Sequence, residues 1–193
     1  MKLEKIRVGV AMCGSFCTFE KCFTVIDELI SEGAEVTPVM SFNAASTDTR
    51  FGKAHEHIKR LETLTGKKVI KTIEQAEPLG PKNMLDVLLV ANCTGNTLAK
   101  LSASITDTPV TMAVKSHLRA AKPVVLCVAT NDALAGTAKN IGQLMNYKNY
   151  FFVPLRQDDF ISKPSSIVAD FSLSVKTLEL ALDGKQLQPI ITR

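Results

Sequence analysis

Short apolar segments alternate with segments of helical periodicity along most of the chain. Residues 6–12 (IRVGVAM), 87–91 (VLLVA) and 123–129 (PVVLCVA) consist almost entirely of apolar side chains. Runs of this length that are apolar throughout are typical of strands buried on both faces, as in a parallel sheet covered by helices. The sequence therefore predicts a single doubly wound, Rossmann-like (flavodoxin-like) α/β domain of three layers with a parallel sheet, over residues 1–193.

The segment after the first strand has the clearest helical pattern. Apolar side chains at positions 19, 22, 23, 26, 29 and 30 share one helical face, with Thr18 as a candidate cap at its start and Gly33 at its end. We expect the core to span about residues 6–154 and a closing helix about residues 166–183. Further strands are predicted over 35–40, 69–70 and 150–153, and a loop over 41–53.

Composition excludes several classes of protein. No apolar run approaches the ~20 residues that span a bilayer, and the N-terminus lacks the pattern of a secretory signal, so we expect a cytoplasmic protein without a membrane partner. The 23 Lys and Arg residues are spread along the chain against 19 Asp and Glu, with no Trp, which argues against a nucleic-acid partner. A net charge of +4 suits an anionic small molecule.

Cysteine and histidine spacing favours neither disulfides nor a metal site. The five cysteines form no CxxC pair, and we expect free thiols. His55 and His57 are two positions apart and do not share a helical face, so no metal site is expected there.

Small polar residues follow each predicted central strand. Ligands of open α/β sheets bind beyond the carboxyl ends of the strands, where Gly-rich turns let the backbone approach an anion. These turns hold the candidate ligand contacts Gly14, Ser15, Ser41, Thr94, Gly95, Asn96, Thr97 and Asn131. The alternative is that these residues only cap helices. Since the chain has neither GxGxxG nor GxxxxGK[ST], a mononucleotide such as FMN fits better than a dinucleotide or an NTP.

At these turns the sequence resembles the flavoprotein superfamily of homo-oligomeric flavin-containing decarboxylases. The motifs that carry the likeness are Gly14-Ser15, residues 92–101 (NCTGNTLAKL) and residues 128–131 (VATN). The resemblance implies that Ser15, Ser41, Thr94 and Thr97 contact a flavin phosphate and that Gly14 and Gly95 shape the loops. It implies that Asn96 and Asn131 meet the polar edge of the flavin or the substrate, and that copies of the chain assemble.

The chain departs from the superfamily pattern at three positions. Asn92 and Val128 replace prolines, and Pro78 stands where the decarboxylases have a catalytic histidine. Since proline cannot transfer a proton, the decarboxylase acid/base is missing, and the pattern singles out no catalytic residue.

Several longer segments are similar to one branch of the superfamily, from spore-forming bacteria. They include residues 76–82 (AEPLGPK), 105–112 (ITDTPVTM) and 154–159 (PLRQDD). The likeness implies one component of a two-component oxidoreductase of the sporulation mother cell, which converts a dihydrodipicolinate-type precursor to dipicolinate. It implies a dehydrogenase-like partner that holds NAD(P). The alternatives are a stand-alone FMN-dependent decarboxylase and a non-catalytic scaffold for the partner.

A dicarboxylate substrate calls for cationic side chains, which form the strongest bonds to carboxylates. Lys115 and Arg119 are four residues apart in a predicted helix, share a face, and are our candidate substrate contacts. Other candidates are His117, Arg156 and Lys163.

Overall fold

A five-stranded parallel sheet forms the centre of the molecule, for which a computed structural model describes residues 3–192. The strands are β1 (Arg7–Met12), β2 (Glu35–Met40), β3 (Val87–Cys93), β4 (Val124–Thr130) and β5 (Tyr150–Phe152), in the order β2-β1-β3-β4-β5. A short strand β6 (Ile167–Val168) pairs antiparallel with the end of β4. The predicted flavodoxin-like α/β class with a parallel sheet is confirmed, and the observed strand order is that of flavodoxin.

In the described part of the chain, eight α-helices flank this sheet. They are α1 (Phe19–Ser31), α2 (Phe42–Ser46), α3 (Ala54–Thr65), α4 (Ile73–Ala76), α5 (Gly95–Ser102), α6 (Pro109–Arg119), α7 (Ala138–Met145) and α8 (Ser174–Leu182). Within residues 3–192, none of them is both long and apolar enough to cross a bilayer.

The central strand β3 shows why two helical layers form. All seven of its residues are buried. Val87 and Leu89 pack into a core with α1, α3 and α8, whereas Leu88 and Val90 pack into a second core with α5, α6 and α7. Because successive side chains of a strand point to opposite faces, an uninterrupted apolar strand requires helices on both sides.

The chain direction across the sheet reverses between β1 and β3. Leaving β1, the chain passes to β2 on one side, and then returns across β1 to β3 on the other. Adjacent loops therefore diverge at the carboxyl ends of β1 and β3, which leaves a crevice where ligands of open α/β sheets bind.

The C-terminal part differs from the prediction. Residues 167–168 form β6, and the closing helix begins at Ser174 and not near 166, after a 3-10 turn over Phe171–Leu173. The β-branched pair Ile167 and Val168 is held by β4, since Ala169 N–H donates to the Val128 carbonyl at 2.8 Å. A tertiary partner far along the chain thus overrides the helical pattern.

Three smaller expectations also change. Thr18 immediately precedes α1, but its hydroxyl donates to the Ser15 carbonyl at 2.7 Å and does not cap the helix. The predicted loop over 41–53 contains the short helix α2, and residues 69–70 contribute only an isolated bridge to Val39 in place of a strand. Gly33, which follows α1 at φ +83°, has the left-handed backbone expected after a helix end.

Candidate functional site

The loop after β1 is clamped to β3 by a buried asparagine. Asn92 Oδ1 accepts the Cys13 N–H at 2.6 Å, and Asn92 Nδ2 donates to the carbonyls of Cys13 at 3.1 Å and Ser15 at 3.2 Å. Asn92 is fully buried, and the pairing of β3 with β4 shifts register between Val90 and Cys93. Asn92 thus fixes the path of Gly14 and Ser15.

The loop after β3 presents the start of α5. The Thr94 hydroxyl accepts the Thr97 N–H at 3.3 Å, so Thr94 is the N-cap. The next N–H groups, of Gly95 and Asn96, lie in the first turn, where the helix itself supplies no acceptor. An anion placed there would meet the positive end of the helix.

A carboxylate network lies directly behind Gly95. Asp132 Oδ1 accepts the Thr130 hydroxyl at 2.6 Å and Oδ2 accepts the Thr137 hydroxyl at 2.8 Å. The Thr130 hydrogen bond is the main reason why the pKa of Asp132 is lowered. A Cβ built on Gly95 would lie only 2.7 Å from both Asp132 Oδ1 and Thr137 Oγ1, so any side chain here would force this network to move.

These loops enclose one cleft of about 760 Å³ at the β1/β3 crevice. Six of the predicted residues line it: Gly14, Ser15, Thr94, Gly95, Asn96 and Asn131. Residues from three different strand ends therefore converge on a single volume.

Two of the predicted ligand contacts lie outside the cleft lining. Ser41 caps α2 by accepting the Ala44 N–H at 3.2 Å. Thr97 is buried, and its hydroxyl lies 3.3 Å from Cys13 Sγ and 3.1 Å from Thr94 Oγ1. Thr97 therefore joins the two loops from behind, and no direct ligand contact follows from its position.

The structure also places the predicted substrate pair away from the cleft. Lys115 and Arg119 share a face of α6 as expected, but they line a separate cavity of about 400 Å³ with Ile105 and Tyr150. His117 on the same helix is buried, and burial is the main cause that lowers its pKa to about 4. Neither Lys115 nor Arg119 is therefore part of this cleft.

The cleft includes residues that the sequence did not single out. Arg50 and Phe51 come from the β2–α3 connection, and Asp158 and Ser166 from the segment around β6. Lys163, one of the weaker candidates, also lines the cleft and forms an ion pair with Asp158 at 3.2 Å. The sequence signal that could have indicated Arg50 and Phe51 was the presence of an arginine and a phenylalanine together in a polar loop after a strand.

None of the three histidines lines this cleft. His55 is exposed on α3, and His57 is buried against the rings of Phe19 and Phe23. Of the nearby thiols, Cys13 and Cys93 are buried, which raises the pKa of both, to about 11 for Cys13, whereas Cys17 lines the cleft and is exposed. Cys13 and Cys93 thus pack as protonated, apolar residues.

Comparison with known proteins identifies the relatives of this chain. Residues 1–172 match the Flavoprotein family. The chain is 50% identical over 189 residues to the B subunit of dipicolinate synthase from Bacillus subtilis (strain 168). The aligned region covers 98% of this chain and 94% of that protein.

Solved structures agree with this relationship. The crystal structure of the B subunit of dipicolinate synthase from Bacillus halodurans C superposes with a TM-score of 0.92 at 38% identity, over 100% of this chain and 99% of that one. The structure of the FMN-dependent cysteine decarboxylase SpaF superposes with a TM-score of 0.70 at 23% identity, over 94% and 99% of the two chains. The second likeness is one of fold.

Proposed function

The chain belongs to the Flavoprotein family, and from this premise we propose that it acts as the B subunit of a dipicolinate synthase. In this role it binds FMN and takes part in the oxidation of a dihydrodipicolinate-type precursor to dipicolinate. The 50% identity to the Bacillus subtilis protein over nearly the whole chain supports this proposal.

One structural observation carries the proposal. Gly14 and Ser15 after β1, Thr94 to Asn96 after β3 and Asn131 after β4 line the same cleft at the β1/β3 switch point. In the flavodoxin-like strand order this switch point is where FMN binds. A volume of about 760 Å³ lies within the usual range of small-molecule sites.

The residues present fit a phosphorylated flavin. The missing side chain of Gly95 makes room for Asp132 and Thr137 beside the first turn of α5. The N–H groups of this turn and the hydroxyls of Ser15 and Thr94 would hold the phosphate, and Asn131 would bond to a polar edge of the ring. When bound, the flavin supplies a two-electron acceptor.

Conversion of the precursor to dipicolinate removes two electrons and two protons. We infer that the partner in this oxidation is a dehydrogenase-like A subunit, which holds NAD(P). The substrate is an anionic small molecule, the site of action is the cytoplasm of the mother cell, and copies of this chain assemble into a homo-oligomer.

The fold likeness to SpaF raises a second function, an FMN-dependent decarboxylase. The position at which the decarboxylases carry their histidine is Pro78, in a 3-10 turn that is not part of the cleft lining. Among residues 3–192 no histidine takes its place in the cleft. Oxidation with a partner is therefore the better-supported function. Reconstitution with and without bound flavin distinguishes it from a non-catalytic scaffold.

The test combines flavin binding with reconstitution. The purified chain is mixed with FMN and dialysed, and we expect the visible flavin absorption to remain with the protein. Oxidation of dihydrodipicolinate is then followed with the dehydrogenase-like partner alone, with this chain alone and with both. We expect turnover only with both proteins. Full activity of the partner alone contradicts the proposal, and activity that requires this chain but no bound flavin identifies a scaffold.

A further inference from the structure

A tight turn projects an arginine and a phenylalanine into the cleft. Thr49 and Gly52 pair through two backbone hydrogen bonds, of 3.0 and 3.1 Å, and the Phe51 N–H donates to the Thr49 hydroxyl at 3.1 Å. Gly52 has φ +128° and lies against His57, whose Nε2 would be 2.7 Å from a Cβ at this position. The turn is therefore held by its own hydrogen bonds and by the packing of His57.

Arg50 and Phe51 form a preorganised pair on this turn. The Arg50 guanidinium lies over the Phe51 ring, with 4.8 Å between Cζ and the ring centroid. Phe51 is 42% exposed although it is large and apolar, and both residues line the cleft. An exposed ring beneath a guanidinium offers a stacking surface and a planar set of donors side by side.

Two cationic side chains, Arg50 and Lys163, line the cleft, and of these Arg50 has no carboxylate partner within residues 3–192. Lys163 pairs with Asp158 at 3.2 Å, and Asp132 is occupied by the hydroxyls of Thr130 and Thr137. Arg50 takes part in no ion pair with a carboxylate of residues 3–192. Its charge is thus free to meet an anionic ligand.

We propose that the turn Thr49–Gly52 recognises the substrate, with Arg50 binding a carboxylate of a planar ring diacid and Phe51 stacking on its ring. This inference rests on the proposed function, since it assigns the substrate end of the same cleft. A guanidinium and a carboxylate can form two parallel hydrogen bonds, and the Arg50 guanidinium lies 4.8 Å from the Phe51 ring centroid. The neutral donors at the ends of β1 and β3 remain available for the flavin phosphate.

The experiment measures ligand binding to the full-length chain by calorimetry. Pyridine-2,6-dicarboxylate is titrated into the FMN-loaded chain and into the flavin-free chain, and FMN and riboflavin are titrated separately into the flavin-free chain. The variants are Arg50→Gln, Arg50→Lys and Phe51→Leu. Arg119→Gln is the matched control, because Arg119 is an exposed cation of the neighbouring cavity on α6.

We expect Arg50→Gln to weaken diacid binding by about tenfold or more, because a charge-assisted pair is lost. Arg50→Lys should recover only part of that loss, since it restores the charge and not the planar fork. Phe51→Leu should weaken diacid binding. All three variants should bind FMN with an affinity within about twofold of that of the unmodified chain. Arg119→Gln should behave as the unmodified chain.

Two results overturn this assignment. Loss of FMN affinity without loss of riboflavin affinity in Arg50→Gln places the arginine on the flavin phosphate. Equal diacid affinity in the unmodified chain and Arg50→Gln removes the arginine from substrate binding. If the unmodified chain binds no FMN, the proposed function fails, and the diacid titration of the flavin-free chain then decides the role of the turn by itself.

Discussion

At Gly95 the addition of a single methyl group is expected to affect both the stability of the fold and the binding of FMN. An alanine Cβ there would meet Asp132 Oδ1 and Thr137 Oγ1 at 2.7 Å and Thr130 Oγ1 at 2.9 Å. We predict that Gly95→Ala destabilises the fold by about 1–3 kcal/mol, because the hydroxyl-carboxylate network must move. FMN binding should weaken in parallel, since the first turn of α5 shifts. Denaturant unfolding and FMN titration measure the two effects.

Gly142 provides the control for this substitution at the residue scale. It lies within α7, and a Cβ there would have no atom within 4 Å. Gly142→Ala should therefore stabilise the isolated monomer by about 0.5–1 kcal/mol, through helix propensity, and leave FMN binding unchanged. Equal stability and equal FMN affinity in Gly95→Ala and the unmodified chain would show that the close packing behind α5 has no energetic consequence.

At the scale of elements, His117 links the end of α6 to the start of β4. Its Nε2 lies 3.1 Å from the Pro123 carbonyl and donates to it, whereas the buried Nδ1 has no hydrogen-bond partner. Burial, with a smaller contribution from Lys122, lowers the pKa of His117 from 6.5 to about 4, although Asp86 and the Pro123 carbonyl act in the opposite direction. The folded chain thus holds this imidazole neutral.

The unfolded chain binds a proton at His117 more tightly than the folded chain does, so the free energy of unfolding decreases as the pH falls. The stabilisation by neutral His117 is present in full above pH 6.5 and is lost progressively as the pH falls toward about 4. We predict a loss of about 3 kcal/mol across this window. Urea unfolding at a series of pH values checks the slope. In His117→Gln this part of the slope should vanish; an unchanged slope would assign it to other groups.

At the scale of the whole molecule, an apolar groove bears on assembly. Leu134, Met145 and Ile191 line a cavity of about 360 Å³ beside α7, and Leu134 and Ile191 are 54% and 71% exposed. We predict that the chain self-associates and covers this groove. Leu134→Asp should then lower the mass measured by light scattering and leave the circular dichroism spectrum unchanged. Met84→Asp, at an exposed apolar residue beyond this groove, is the control.

Most of the fold could be predicted because its signals are local. The strand over 35–40 and the apolar face of α1 have the bounds that alternation and helical periodicity indicate. The largest error concerns a segment whose structure depends on a distant partner, β6, which pairs with β4. A two-residue strand has too short a pattern to be recognised without its neighbour.

The amino-acid pattern alone was enough to establish the α/β class, the crevice and six residues that line it, because small polar residues after buried strands must meet at one edge of a parallel sheet. It took the folded chain to show that Asn92 clamps a loop 79 positions away, that Arg50 and Phe51 enter the cleft and that Lys115 and Arg119 do not. The physical reason is that hydrophobic periodicity specifies which face a residue occupies. The side chains that share a cavity are selected by contacts between segments distant in the chain.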